Sequence, residues 1–226
     1  MDEIVYCLQM LENVLYIVLA YLIGSVPFGY LAGKLNGIDL REHGSKNIGA
    51  TNAVRVLGKK WGIPVFVCDF LKGYVPLYLV IQLLGEGKLA LAQFSLESML
   101  WVLGVMFALI LGHTFTCFLH FKGGKGVATT GGCLFALSPI IGLSALLTWI
   151  LMMVLTRYVS LSSMVAGLAM MTAAGYEFWW VDGVLSSADI TLLSLLMIIF
   201  VLVVYKHRAN IVRLCQGTEP KAFTKR

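Results

Sequence analysis

The chain has 226 residues, of which 59% are hydrophobic and only 13% charged, with a formal net charge of +5. Soluble domains carry about 25% charged residues, so a water-soluble globule is excluded, as are a disordered chain and a coiled coil. Cys7, Cys68, Cys117, Cys133 and Cys215 are odd in number, scattered, and form no C-x-x-C pair, which argues against a disulfide scaffold or a zinc or redox site. What remains is one polytopic membrane domain over 1–226 with no separate soluble domain.

Apolar stretches long enough to cross a hydrocarbon core of about 30 Å run over 13–33, 62–84, 94–112, 158–176 and 189–205. The first is read as a retained crossing rather than a signal peptide, because Asp2, Glu3 and Glu12 stand where a cationic leader segment belongs. A longer run, 127–156, is interrupted by Pro139 after Ser138. Proline removes a backbone donor and disfavours helix at the residue before it. The run is thus one bent helix or two short ones.

Loop charge decides between these. Lys34, Arg41, Lys46, Arg55, Lys59 and Lys60 fall in 34–60, Lys122 and Lys125 in 113–126, and Lys206, Arg208, Arg213, Lys221, Lys225 and Arg226 in the tail, fourteen of the seventeen cations. The connections 85–98 and 177–189 are mainly acidic and are expected outside. Placing all three basic segments in the cytoplasm requires an even number of crossings between 126 and 206. Two short helices in 127–156 satisfy that. The expectation is an all-α protein of about seven transmembrane helices, amino terminus out and carboxyl terminus cytoplasmic. Its weak point is 127–138, whose twelve residues rise only about 18 Å.

Three cytoplasmic segments, 34–61, 113–127 and 205–226, carry the chemistry. In the first, His43 to Asn52 followed by Arg55 combines glycines with Ser45, Asn47, Thr51 and Asn52, a composition suited to an oxyanion, since a glycine-permissive backbone lets N–H groups converge on phosphate oxygen. In the second, Lys122-Gly123-Gly124-Lys125-Gly126 opens a helix, where backbone donors and the helix dipole favour an anion. It matches neither the Walker A spacing nor a G-x-G-x-x-G fingerprint. In the third, His207, Asn210 and Arg213 share one face if the helix continues. Each segment alone also reads as a polar turn or a basic anchor for anionic lipid.

Within the membrane, Asp69 and Lys72 stand i, i+3 and can pair along one helix. That pair reads first as structural, with Lys72 placed to reach an anionic substrate. His113, at the end of the third stretch, divides between a helix-end hydrogen bond and a site role. Gly29-x-x-x-Gly33 reads as close helix packing. The residues five past each histidine are Ile48, Phe118, Lys125 and Val212, so no H-x-x-x-x-D acyltransferase motif exists. The clustered aspartates of a metal-dependent CDP-alcohol phosphotransferase are missing, as is a G-x-S-x-G elbow. The site is expected to need no metal and no cofactor.

Gly24-Ser25-Val26-Pro27-Phe28-Gly29, Gly44-Ser45 to Arg55, Asp69-x-x-Lys72-Gly73, Gly112-His113, Phe121 to Thr129 and His207 to Glu219 stand in that order over nearly the whole chain. In these motifs the sequence resembles the PlsY family of acyl-phosphate:glycerol-3-phosphate acyltransferases. It departs from the family pattern at Lys46, usually Gly, at Thr116, usually Pro, and at Ala209, where Glu is common. The resemblance implies a multi-pass protein of the bacterial inner membrane whose cytoplasm-facing site moves an acyl group from acyl phosphate to the 1-hydroxyl of glycerol 3-phosphate, giving lysophosphatidic acid. It assigns the reaction to Ser45, Arg55, His207 and Asn210. Asn47, Asn52, Lys72, His113, Lys122, Gly123, Gly124, Lys125 and Gly126 are then the substrate-binding candidates, and Glu219 is structural. His207, of a type that titrates near neutrality, and the substrate's own phosphate are the two candidate proton acceptors. Membrane lipid and the enzyme that makes acyl phosphate are the implied partners, and no nucleic acid is. The competing reading is a transporter of a phosphorylated solute, which would gather polar groups near the midplane.

Overall fold

A computed structural model describes residues 2–84, 95–182 and 185–222. Its described residues form ten α-helices and no strand: α1 Asp2–Ser25, α2 Phe28–Leu35, α3 Ala50–Leu57, α4 Lys59–Leu83, α5 Leu96–Thr114, α6 Val127–Leu137, α7 Pro139–Thr156, α8 Val159–Asp182, α9 Ser187–Lys206 and α10 Arg208–Cys215. Six segments among them are long and apolar enough to cross a membrane: Met10–Leu35, Lys59–Leu83, Leu96–Leu119, Pro139–Thr156, Val159–Glu177 and Ser187–Lys206. Large side chains such as Leu15, Leu79, Val154, Leu155 and Ile198 are exposed along them. A soluble protein does not leave apolar patches of this extent in water. The expected outer connection 85–98 lies outside the described residues at 85–94, and 177–189 does so at 183–184.

The expected break before Pro139 is present. Ser138 caps α7 by accepting from the Ile141 N–H at 3.4 Å, with Pro139 in the first turn, where its missing donor costs nothing. The outcome is an eleven-residue α6 followed by an eighteen-residue α7. The first stretch, expected as one continuous helix over 13–33, is instead interrupted between Ser25 and Phe28, with Pro27 at the amino-terminal cap of α2. Two side chains supply donors to the carbonyls there: Thr116 Oγ1 donates to Ser25 O at 2.6 Å and Lys72 Nζ to Val26 O at 2.8 Å. Non-helical backbone at membrane depth requires such partners. Pro64 and Pro76, by contrast, sit inside an unbroken α4.

The chain divides into two compact units, Met1–Gly85 with Leu100–Cys133, and Glu86–Met99 with Leu134–Arg226. In the first, glycines let backbones touch. A Cβ on Gly24 would overlap Leu109 O and one on Gly112 would overlap Tyr21 O, which seats α1 on α5, while Gly73 against Thr129 O and Gly132 against Phe70 O seat α4 on α6. This is small-residue packing in place of the hydrophobic drive that lipid removes. Gly29 and Gly33 work differently from the expected helix-to-helix contact. They face Ile48 O and Ile38 O, so the interval serves to bring the polar 38–48 loop onto α2. In the second unit, Trp149 Nε1 donates to Ser163 Oγ at 3.2 Å between α7 and α8, and Gly167 of α8 faces Phe200 of α9. A reciprocal box of Ser186 and Asp189 caps α9.

Candidate active site

The 38–48 loop is held from within. Leu40 and Ala53 are fully buried beside Ala32 and Val65, which anchors the loop against α2, α3 and α4. Asn52, 1% exposed, accepts from the Ser45 N–H at 2.8 Å through Oδ1 and donates Nδ2 to Leu40 O at 3.2 Å and His43 O at 3.0 Å. Its amide is thus committed to loop geometry. Asn47 likewise accepts from the Gly49 N–H at 2.8 Å. What the loop presents outward is Ser45, exposed between Gly44 at φ +61 and Lys46 at φ +58, with Arg55 exposed on α3. Lys46 thus occupies left-handed backbone, which glycine adopts without steric cost. Nearby, Arg41 hydrogen bonds hold the Asp39 carboxyl down at about 2.

The glycine loop rests on the end of α5. The Gly123 N–H donates to Thr114 O at 3.2 Å and the Gly124 N–H to His113 O at 3.0 Å. These two donors build the loop rather than face outward. The glycines allow close approach instead: a Cβ on Gly123 would overlap His113 O, and one on Gly124 would overlap His113 Nε2. Gly126, at φ +81, makes the turn into α6. The first turn of α6 has N–H groups without an intrahelical acceptor, a setting that favours an anion, with Lys122 exposed and Lys125 half-buried beside it.

Beneath this loop lies a buried polar cluster. Asp69 Oδ1 is 2.7 Å from Lys72 Nζ and 3.5 Å from His113 Nδ1. The three line one small pocket with Ser25, Phe28, Gly29 and Ile48. The expected i, i+3 pair is present, and its third member, His113, comes from 44 positions away, a distance no local spacing reveals.

In the second unit the tail is organised by Glu219. Its Oε1 accepts from Asn210 Nδ2 at 2.6 Å and Ser160 Oγ at 2.7 Å, and its Oε2 from Arg213 Nε at 2.7 Å. Burial alone would raise this carboxyl, but the three donors and the guanidinium charge hold it below the ordinary carboxylate range. The helix does not continue unbroken past Lys206: His207 ends α9 and opens α10 at φ −96, ψ 4. Asn210 and Arg213 nevertheless converge, on Glu219. His207 is 2% exposed, with Nδ1 2.8 Å from Val203 O. A carbonyl only accepts, so Nδ1 is the donor in this contact. Among the described residues no group of three or more His, Cys, Asp or Glu side chains is arranged to hold a metal ion.

The family model described as glycerol-3-phosphate acyltransferase matches residues 14–217. The chain belongs to the glycerol-3-phosphate acyltransferase family. It is 40% identical to the glycerol-3-phosphate acyltransferase of Acholeplasma laidlawii, over 97% of each chain, and 42% identical to that of Aquifex aeolicus, over 90% of this chain and 95% of that one. Among solved structures it is similar to PlsY, an integral membrane glycerol 3-phosphate acyltransferase, in its glycerol 3-phosphate form (38% identity, TM-score 0.79, 93% of this chain and 95% of that one). The lysophosphatidic acid form of PlsY is matched at 37% identity and a TM-score of 0.76. The family and the apolar helices together make this an integral membrane protein.

Proposed function

We propose that the protein transfers a fatty acyl group from acyl phosphate to the 1-hydroxyl of glycerol 3-phosphate, forming the ester of lysophosphatidic acid and releasing inorganic phosphate. The observation that carries this reading is the glycine loop seated on His113 at the start of α6, with Lys122 and Lys125 beside it. Both substrates are phosphates, and cations at a helix amino terminus recognise them. The mixed anhydride is already activated, so neither a metal nor coenzyme A enters the chemistry. The protein's part is to bind, orient and move one proton.

In this reading Ser45 and Arg55 act at the reacting phosphate, and the 122–126 loop with Lys72 and His113 receives glycerol 3-phosphate. His207 accepts the attacking hydroxyl's proton or orients the substrate phosphate that does. Asn210 is aligned by Glu219, and Asn47 and Asn52 shape the loop that presents Ser45. The whole chain works as one domain of seven crossings in the bacterial cytoplasmic membrane, amino terminus out, with the three basic segments and the site toward the cytoplasm. The enzyme that makes acyl phosphate is its natural partner.

The test is turnover by purified protein given acyl phosphate and glycerol 3-phosphate, with phosphate release followed in EDTA and without coenzyme A. Stoichiometric phosphate and lysophosphatidic acid are expected. Activity only with acyl-CoA, or none in EDTA, refutes the donor assignment.

A further inference from the structure

Asp69 has no part in the reaction as just set out, yet it contacts residues on both sides of the glycine loop, His113 before it and Thr129 after it. On one side its carboxylate faces His113 Nδ1 at 3.5 Å, and the opposite edge of that ring, Nε2, fills the space a Cβ on Gly124 would take. The backbone of the same histidine accepts the Gly124 N–H at 3.0 Å. On the other side, the Asp69 carbonyl accepts Thr129 Oγ1 at 3.0 Å, and Thr129 lies in the first turn of α6, just past the loop. The carboxylate is 3% exposed and also meets Lys72 Nζ at 2.7 Å. The Thr129 bond is a backbone contact that ties the same turn of α4 to α6. An acid whose sole task was to neutralise Lys72 would not need its carboxylate turned to His113 as well. Its placement fits a different task, that of fixing where the loop stands.

We propose that Asp69 is a positioning residue for the 122–126 loop, holding the His113 ring so that Gly124 is seated where glycerol 3-phosphate is received. The inference rests on the reading that this loop binds that substrate. Asp69 acts through His113 and touches no substrate itself. Loss of the carboxylate frees the ring to turn, and the loop shifts with it. Misplacement of a substrate-bearing segment by about 1 Å can cost up to about 100-fold in rate, which for a binding loop is read in KM.

The experiment is a double-mutant cycle on the full-length protein with Asp69→Asn and His113→Gln, measuring kcat and the KM for each substrate. Asp69→Asn is expected to raise the KM for glycerol 3-phosphate about 10- to 100-fold, with kcat and the KM for acyl phosphate little changed. Added to His113→Gln it should worsen that KM by less than about twofold, because coupled residues are not additive. An unchanged KM, or fully additive penalties, overturns the proposal. Asp69→Asn leaves Lys72 without its carboxylate in the membrane. If that variant is not recovered folded, Asp69→Asn/Lys72→Met compared with Lys72→Met carries the same measurement. Failure of both to fold reduces Asp69 to a folding residue and overturns the proposal too. Gly124→Ala run alongside separates the two claims. A normal KM there sinks the loop reading, whereas a raised KM there with a normal one in Asp69→Asn sinks the proposal alone.

Discussion

Glu219 gathers three donors, one of them, Ser160, 59 positions away. Its carboxyl lies below the ordinary value in the folded protein, so the stability it contributes is present above the unfolded carboxyl value of about 4.3 and is lost as pH falls through the folded one. Thermal midpoints of detergent-solubilised protein should therefore decline from about pH 5 downward. In Glu219→Gln the midpoint should be lower at neutral pH and its pH dependence shallower. An equally steep decline in the variant would remove Glu219 from that role. Ser45→Ala and His207→Ala should keep the folded yield and lower kcat by about 100-fold or more, the range expected for acid–base or charge-stabilising groups. Gly124→Ala should leave kcat nearer normal and raise the KM for glycerol 3-phosphate, because its Cβ must displace the His113 ring. Steady-state kinetics on the three variants checks the division.

At the scale of helices, backbone contact through Gly24, Gly73, Gly112 and Gly132 has a measurable consequence. Gly112→Val places side-chain atoms against Tyr21 O and the Ser25 backbone of α1, an overpacking expected to cost about 1–3 kcal/mol. It should appear as a lower thermal midpoint and a smaller monodisperse fraction, whereas Gly175→Ala, where a Cβ meets nothing within 4 Å, should leave both unchanged. Helix breaks were only partly legible in advance. Ser138-Pro139 announced itself because proline acts on its own residue and the one before. The same residue type at Pro27 lay in an apolar stretch that reads as one crossing, and at Pro64 and Pro76 it leaves α4 intact. Composition does not tell these cases apart, since the outcome depends on donors such as Thr116 and Lys72 arriving from elsewhere in the chain. The same holds within the site. The i, i+3 pair of Asp69 and Lys72 was visible from spacing, but His113 joining it was not. Asn52 read as a donor to substrate, and its burial under the 40–45 loop is a tertiary fact.

For the molecule as a whole, the distribution of cations sets the expected topology. With the native cysteines replaced, single cysteines at Lys46 and Thr218 should react with impermeant reagents only from the cytoplasmic side, and at Glu97 and Ser186 only from the outside. Labelling of 46 and 218 from opposite sides would require an odd number of crossings between them and would discard the seven-crossing arrangement. The short α6 carries a consequence for the surrounding lipid. Eleven residues rise about 16 Å, half of a hydrocarbon core of about 30 Å. One end carries the glycine loop, and the other is followed at once by Ser138, whose hydroxyl donates to the Glu177 carboxylate at 2.9 Å. Two polar ends so close together cannot both reach the headgroups of a bilayer of ordinary thickness unless the lipid beside α6 thins, and an end that stays at depth needs protein partners or water. Either way the protein is expected to be sensitive to hydrophobic mismatch, with bilayer thickness acting as a mechanical load on the helix that begins at its glycine loop.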